Sequence, residues 1–480
     1  MHMNTGRETA RAGVTRWSAG MLVALGALVA ACGGAGVADE HADPDLVRME
    51  GALGNRFVSA GQSGTVVARI RVGAHAQSNL PRPAINLALV VDTSGSMEGR
   101  PIADARAASL ALLDQLADGD RLAVVVFHGR TELLVPGVVL DDDTREEARS
   151  KIREMAARGT TDMAGGLRVG LEELLRNYSE GGVNRLVLLG DGVPNDAAPI
   201  TALAQAAGER HVTITSLGLG LDYDETLMGR IAQLSGGHFH HVEQSSAVAA
   251  VFRDEVLRLQ RVVGRNAVVT LTPGPGVRIE SVVGQVVSQR DGTVSVALGD
   301  VSEDDERDLI VRLTADGRRA GANVELIDAV MSFDDAVAGA GRLERRVFLG
   351  ARATADEAER NAGRNDEVER DAARMSAAAT QIAAIALARG GELEAARQVL
   401  DRAITQAEER AASTHDGYLA DEVSRMRVLS GALPSVASAP APAPGSAAPA
   451  PVATPEDAPA TVRRSYERAM RAVEAAPRDE

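Results

Sequence analysis

Apolar positions along this chain follow two rhythms. From residue 84 to 262, short all-apolar runs alternate with segments whose apolar residues recur every three or four positions. That is the pattern of buried parallel strands separated by helices. The runs predict strands at 85–91, 121–127, 133–139, 185–190, 212–218 and 238–243. The periodic segments predict one helix opening at Pro101 and others near 144–156, 162–178, 199–209, 224–235 and 246–262. Pro suits a first helical position because its missing N–H would have no partner there anyway. Ile102, Ala105, Leu112, Leu113 and Leu116 then carry the buried face of that helix. Strand and helix in strict alternation imply a doubly wound, mostly parallel α/β sheet of Rossmann-like type over 84–262.

The texture changes on either side. Residues 263–350 alternate apolar and polar positions with Gly/Asp turns, as in Ala267–Leu271 and Val294–Leu298, and Gly64–Val72 reads the same way. Residues 47–83 and 263–350 are therefore expected to join as one discontinuous, flanking β-sandwich-like domain with the α/β domain inserted. Residues 351–432, rich in Ala, Arg and Glu, read as an amphipathic helical region packing on the β unit, with Gly390-Gly391 as a hairpin turn. A tetratricopeptide-like array would need a repeat that is not there. Eight of the 18 prolines fall between 433 and 460, so 433–461 reads as a disordered or polyproline-like linker. The last stretch, 462–480, reads as a short charged helix with Tyr466, Met470 and Val473 on one face, expected to be a solvated tail.

Charge and composition alter the picture mainly at the N-terminus. Arg7, Arg11 and Arg16 precede an apolar run, Met21–Ala31, that is too short to span a bilayer and reads as a signal peptide. Its end, Val29-Ala30-Ala31-Cys32, resembles the bacterial lipobox, which implies cleavage after residue 31, a lipidated Cys32 and a tether over 32–46. Cleavage would remove three Arg and one Glu, taking the formal charge from −16 to −18. Such an acidic chain is a poor partner for nucleic acid or an anionic membrane surface, so membrane attachment is expected through the N-terminal lipid. The expected address is the bacterial cell envelope. Gly33 offers no obvious retention signal, which favours the outer membrane.

The candidate chemistry sits where predicted strands end. Ile85–Val91 runs into Asp92-Thr93-Ser94-Gly95-Ser96-Met97, placing one carboxylate and two hydroxyls at the carboxyl end of a strand, where open α/β sheets bind ligands. Oxygen donors of this kind can hold a hard divalent cation. A second turn, Gly159-Thr160-Thr161-Asp162-Met163, enters a helix, and a third strand, Asn184–Gly190, ends in Asp191-Gly192.

These three motifs, in this order, resemble the von Willebrand factor type A family over about 84–262, as does Ser216-Leu217-Gly218-Leu219-Gly220 further on. The resemblance implies a metal-ion-dependent adhesion site for Mg²⁺, with Mn²⁺ or Ca²⁺ as alternatives. Ser94 and Ser96 would coordinate directly, Asp92 and Asp191 mainly through water, and Thr161 directly once a ligand is bound. Thr161 rather than Thr160 holds the family's spacing to Gly166-Leu167. Gly190 departs from the family, where many members carry Thr. A metal held mostly by neutral hydroxyls stays electrophilic, which implies a protein partner supplying an Asp or Glu carboxylate.

The expectation is thus a lipid-anchored binding protein and not an enzyme, since no nucleophile elbow or partner histidine motif accompanies the serines. The alternative is a structural scaffold of an envelope complex in which the metal only stabilises the domain. His238, His240 and His241 read as polar strand residues near an edge, and Asp141-Asp142-Asp143 as an acidic helix cap.

Overall fold

The computed structural model describes residues 43–75, 81–191, 193–194, 197–414, 417–437 and 458–475. The expected signal peptide at 1–31, Cys32, most of the expected tether and most of the Pro-rich segment lie outside the described residues.

Three strands come first: β1 (Val47–Leu53), β2 (Phe57–Ser59) and β3 (Gly64–Ala74). The α/β unit follows as β4 (Ile85–Asp92), α1 (Arg100–Gln115), β5 (Arg121–Phe127), β6 (Thr131–Val139), α2 (Asp142–Arg153), α3 (Met163–Arg176), β7 (Val183–Gly190), α4 (Ala198–Glu209), β8 (Thr213–Leu219), α5 (Glu225–Ser235), β9 (Phe239–Val242) and α6 (Val248–Leu259). Its sheet runs in the order β6-β5-β4-β7-β8-β9, parallel except for the antiparallel edge strand β6. Every residue of β4, β7 and β8 is buried, because helices cover both faces. One face packs on α1, α2 and α6, the other on α3, α4 and α5.

The chain then forms β10 (Val262–Pro273), β11 (Val277–Val282), β12 (Ser288–Arg290), β13 (Thr293–Ser302), β14 (Glu306–Ala315), β15 (Asn323–Asp335) and β16 (Arg342–Thr354). Two sheets, β1-β3-β14-β11 and β12-β13-β10-β15-β16-β2, enclose a separate core. β3 pairs with β14 along Gly64–Gly73, so sequence-distant strands share one ladder.

Helices α7 (Glu357–Ala362), α8 (Asp366–Arg389), α9 (Leu393–Thr414), α10 (Gly417–Ala432) and α11 (Ala458–Glu474) complete the fold. Gly390 and Gly391 form the turn between α8 and α9. α8 is fixed across the first sandwich sheet by Arg69, whose guanidinium reaches Asp371 at 2.5 Å and Glu367 at 2.7 Å. Among the described residues no helix is long and apolar enough to cross a membrane.

The final helix corrects the sequence reading. α11 is docked, not solvated: Tyr466, Met470 and Val473 are all buried in the core shared by the α/β unit and the C-terminal helices. These positions lie on one stripe, and the sequence could not show what the stripe meets. Tyr466 stands edge-on to Phe239 at 5.5 Å, and a side chain at Gly229 would collide with its hydroxyl end. Arg463 donates to the Tyr223 carbonyl at 3.2 Å, and Gln285 donates to the Val473 carbonyl at 2.6 Å. Met470→Ala should therefore cost about 2–5 kcal/mol in denaturant unfolding. A solvated helix would lose less than about 0.5 kcal/mol.

The end of α11 also buries a titrating pair. Glu474 Oε2 lies 3.2 Å from His238 Nδ1. Burial holds the imidazole well below its usual value of 6.5 and pushes the carboxyl from 4.5 up to about 8. The stable pairing is thus neutral, with the acid proton shared toward the ring. A carboxyl raised in this way stabilises fully below its unfolded value and loses that contribution as pH rises through about 8. His238, held neutral, acts oppositely below 6.5. Chemical denaturation should show wild type losing stability relative to Glu474→Gln as pH rises from about 5 to 9. A pH-independent difference would contradict this pairing.

Arg185 on β7 is among the largest fully buried side chains of the described residues. It donates to Thr215 Oγ1 at 2.9 Å, Glu255 Oε1 of α6 at 3.1 Å and Asp300 Oδ2 of β13 at 2.9 Å. Arg185→Ala strands two buried carboxylates and should cost about 3–5 kcal/mol in equilibrium unfolding.

Candidate metal centre

β4 and β7 are neighbours at the centre of the α/β sheet, where the strand order reverses. Connections leave in opposite directions there and open a crevice at the carboxyl ends of the strands. Asp92 closes β4 and Asp191 directly follows β7, so both carboxylates reach this crevice. The Ser94–Ser96 turn folds over them, because Asp92 Oδ1 accepts the Ser94 N–H at 2.8 Å.

A continuous chain of oxygens results. The Ser94 and Ser96 hydroxyls lie 3.0 Å apart, and Ser96 Oγ donates to Asp191 Oδ1 at 2.8 Å. Asp92 is fully buried, yet among the described residues its Oδ2 has no hydrogen-bond partner. Gly190 stands on that side: a Cβ there would lie 3.9 Å from Oδ2 and 3.1 Å from the Met163 methyl, so with Gly in place of Thr no side chain of residue 190 approaches that oxygen. Burial, opposed by Ser94 and reinforced by Asp191, pushes Asp92 up to about 7. Burial also raises Asp191, and Asp222, in the loop after β8, adds to the repulsion.

Thr161 approaches on a third loop. Gly95 N–H donates to the Gly159 carbonyl at 3.0 Å, Arg158 N–H to Thr93 O at 2.7 Å, and Asp162 N–H to His128 O at 2.7 Å. Asp162 in turn caps α3 through the Gly165 N–H. The loop is thereby pinned to the serine turn on one side and to the helix on the other. Thr161 is half-buried there, but no hydrogen bond joins its hydroxyl to the other four residues. Thr160 lies against Gly129. The structure thus links Asp92, Ser94, Ser96 and Asp191 directly and brings Thr161 alongside by its backbone.

The sequence reading missed Asp222 and the Gly159 carbonyl. Gly159 has a positive φ of 73°, and the Gly-Thr-Thr turn was its only signal. Asp222 comes three residues after the end of β8, beyond Gly220 and Leu221, whereas Asp191 directly follows β7. The remaining flagged residues are elsewhere. Asp141 caps α2 in a reciprocal capping box with Thr144. His241 Nδ1 lies 2.8 Å from the Tyr223 hydroxyl, and His238 faces Glu474. Among the described residues no group of three or more His, Cys, Asp or Glu is placed to hold a metal ion.

The crevice differs from such a cluster in kind, since half of its linked donors are hydroxyls. An oxygen-only set with a buried, unpartnered carboxylate oxygen fits a hard divalent cation, which would relieve both the desolvation and the repulsion.

The von Willebrand factor type A domain model matches residues 86–254. The uncharacterized Synechocystis protein sll0103 is 30% identical over 285 residues, 56% of this chain and 66% of that protein. The uncharacterized Escherichia coli protein YfbK is 27% identical over 253 residues, 50% of this chain and 43% of that one. The chain therefore spans less than two thirds of the length of either relative. The solved von Willebrand factor type A structure from Catenulispora acidiphila superposes with a TM-score of 0.63 at 19% identity. That likeness of fold covers 80% of this chain and 89% of the other.

Proposed function

We propose, from the von Willebrand factor type A domain that residues 86–254 form, that this chain is a lipid-anchored cell-envelope protein that binds a protein partner through a divalent cation. Such domains commonly mediate protein–protein interaction. Mg²⁺ is the cation favoured, held by Asp92, Ser94, Ser96, Thr161 and Asp191. The observation that carries this reading is the buried Asp92 Oδ2, which has no partner among the described residues, beside a chain of hydroxyl and carboxylate oxygens. A cation there supplies an electrophilic position for an outside oxygen, and a partner's Asp or Glu carboxylate is the chemistry that suits it.

Binding is favoured over catalysis by how the hydroxyls are used. Ser94 and Ser96 are engaged with each other and with Asp191, and no described imidazole is hydrogen-bonded to either. Lipid attachment at Cys32, with the signal peptide removed, would place this site at the membrane face, with the outer membrane preferred.

Titration of the full chain with Mn²⁺, followed by electron paramagnetic resonance, should show one tightly held ion displaced by Mg²⁺. Asp92→Asn should abolish it while keeping the circular dichroism spectrum. Capture from envelope extracts should then retain a partner with Mg²⁺ and release it with chelator. Equal retention by Asp92→Asn would overturn the adhesion mechanism.

A further inference from the structure

A large open cleft lies away from the metal centre, between the first sandwich sheet and the C-terminal helices. Its volume is about 950 Å³. β2 and the first residues of β3 form one wall, and α7, α8 and α9 form the others. Four arginines line it, Arg312, Arg360, Arg364 and Arg410, against two carboxylates, Glu369 and Glu409. Arg410 is paired with Glu369, and Arg364 with Asp366. Arg312 is different: it donates to the Ser376 hydroxyl at 2.7 Å, a neutral partner. Among the described residues neither Arg312 nor Arg360 forms an ion pair. A cationic cleft in a chain of net charge −16 runs against the overall charge and selects for anions.

The wall at β3 adds a second kind of recognition. β14 pairs with β3 from Gly64 onward, but β1 pairs with it only from Ala68. The Val67 carbonyl points to the β1 side, where it accepts the Gly54 N–H at 2.8 Å. Backbone groups of alternate residues share a side, so the N–H and C=O of Thr65 face the same way. Among the described residues no strand pairs with Thr65 there, and Gly64–Val67 all line the cleft. An unpaired strand edge beside guanidiniums that form no ion pair among the described residues recognises one chemistry: an extended peptide with acidic side chains.

We propose that this cleft binds an extended acidic peptide segment of a partner protein, which adds to the open edge of β3 at Thr65 and places carboxylates on Arg312 and Arg360. The site is separate from the metal centre and does not depend on that assignment.

The test is fluorescence anisotropy on the full chain with a labelled, acetylated hexapeptide alternating Glu and Val. Three comparison probes are its Gln counterpart, a backbone N-methylated version, and the same sequence in D-amino acids. The Glu peptide should bind, and each of the other three should bind at least about tenfold more weakly. Arg360→Ala, on an exposed helix, and Arg312→Ser should each weaken the Glu peptide about tenfold, with thermal unfolding confirming that both variants fold. Asp92→Asn and chelator should leave its affinity unchanged. Equal binding of the Glu and Gln peptides, full affinity in both arginine variants, or no binding of the Glu peptide would each overturn the proposal. Loss of binding in Asp92→Asn would instead assign the peptide to the metal centre and overturn this cleft.

Discussion

The arrangement of this molecule turns on one buried cation. Arg185 sits in the middle of the α/β sheet, and its guanidinium meets Glu255 from the helix that ends the α/β unit and Asp300 from the sandwich. A fully buried charge is stable only where its partners are fixed, because taking ions out of water costs more than an imperfect pair returns. The contact therefore specifies geometry: sheet, helix and sandwich must meet in one orientation for all three groups to be satisfied. Backbone contact makes the same junction tight. Gly236 and Gly299, both at positive φ, approach so closely that a Cβ on either would strike the other's backbone. β7, which carries Arg185, is also the strand that delivers Asp191 to the crevice.

The crevice itself follows an opposite electrostatic rule. At the junction Arg185 meets two carboxylates, and buried Arg265 is held by the carbonyls of Glu180, Gly182 and Asp335. At the strand ends two buried carboxylates face each other and two serines, with no described cation between them. Both are raised by burial. Arg185, Arg69 and Arg307 each meet a carboxylate elsewhere in the fold, whereas Asp92 Oδ2 has no partner among the described residues, a local imbalance that an exogenous cation would relieve.

Much of this was legible in the sequence, for a definite reason. β4, β7 and β8 are buried on both faces, so their composition announces them, and the polar residues directly after them must lie at the sheet's open edge. Asp92, Ser94, Ser96 and Asp191 were visible for that reason. Thr161 was placed only by spacing, because its loop is held by backbone bonds from Gly95 and Arg158 that leave no side-chain signature. Arg185 was hidden within a strand-like run, since composition does not distinguish a buried, paired arginine from an exposed one. The docking of α11 was not legible in its stripe, Val462, Tyr466, Ala469, Met470 and Val473, because the complementary surface comes from α8, α10, β9 and α5. Pairing between remote segments is a property of the fold, not of either segment's pattern.

That docking has a consequence for the crevice. An α/β sheet has two edges, and this one treats them differently. β6 carries Pro136 and register shifts, which discourage further pairing, whereas β9 is covered by α11. In covering β9, the C-terminal helices also grip the loop after β8. Arg463 of α11 and Arg389 of α8 both donate to the Tyr223 carbonyl at 3.2 Å, and Arg389 is paired with the buried Glu225 beside it. The adjacent residue is Asp222, the carboxylate that bears on Asp191. The helical layer, far from the crevice in sequence, therefore helps to fix the electrostatics at its rim. A chain cut back to the α/β unit would keep Asp92, Ser94, Ser96, Thr161 and Asp191 but lose both guanidiniums that hold the loop beside them.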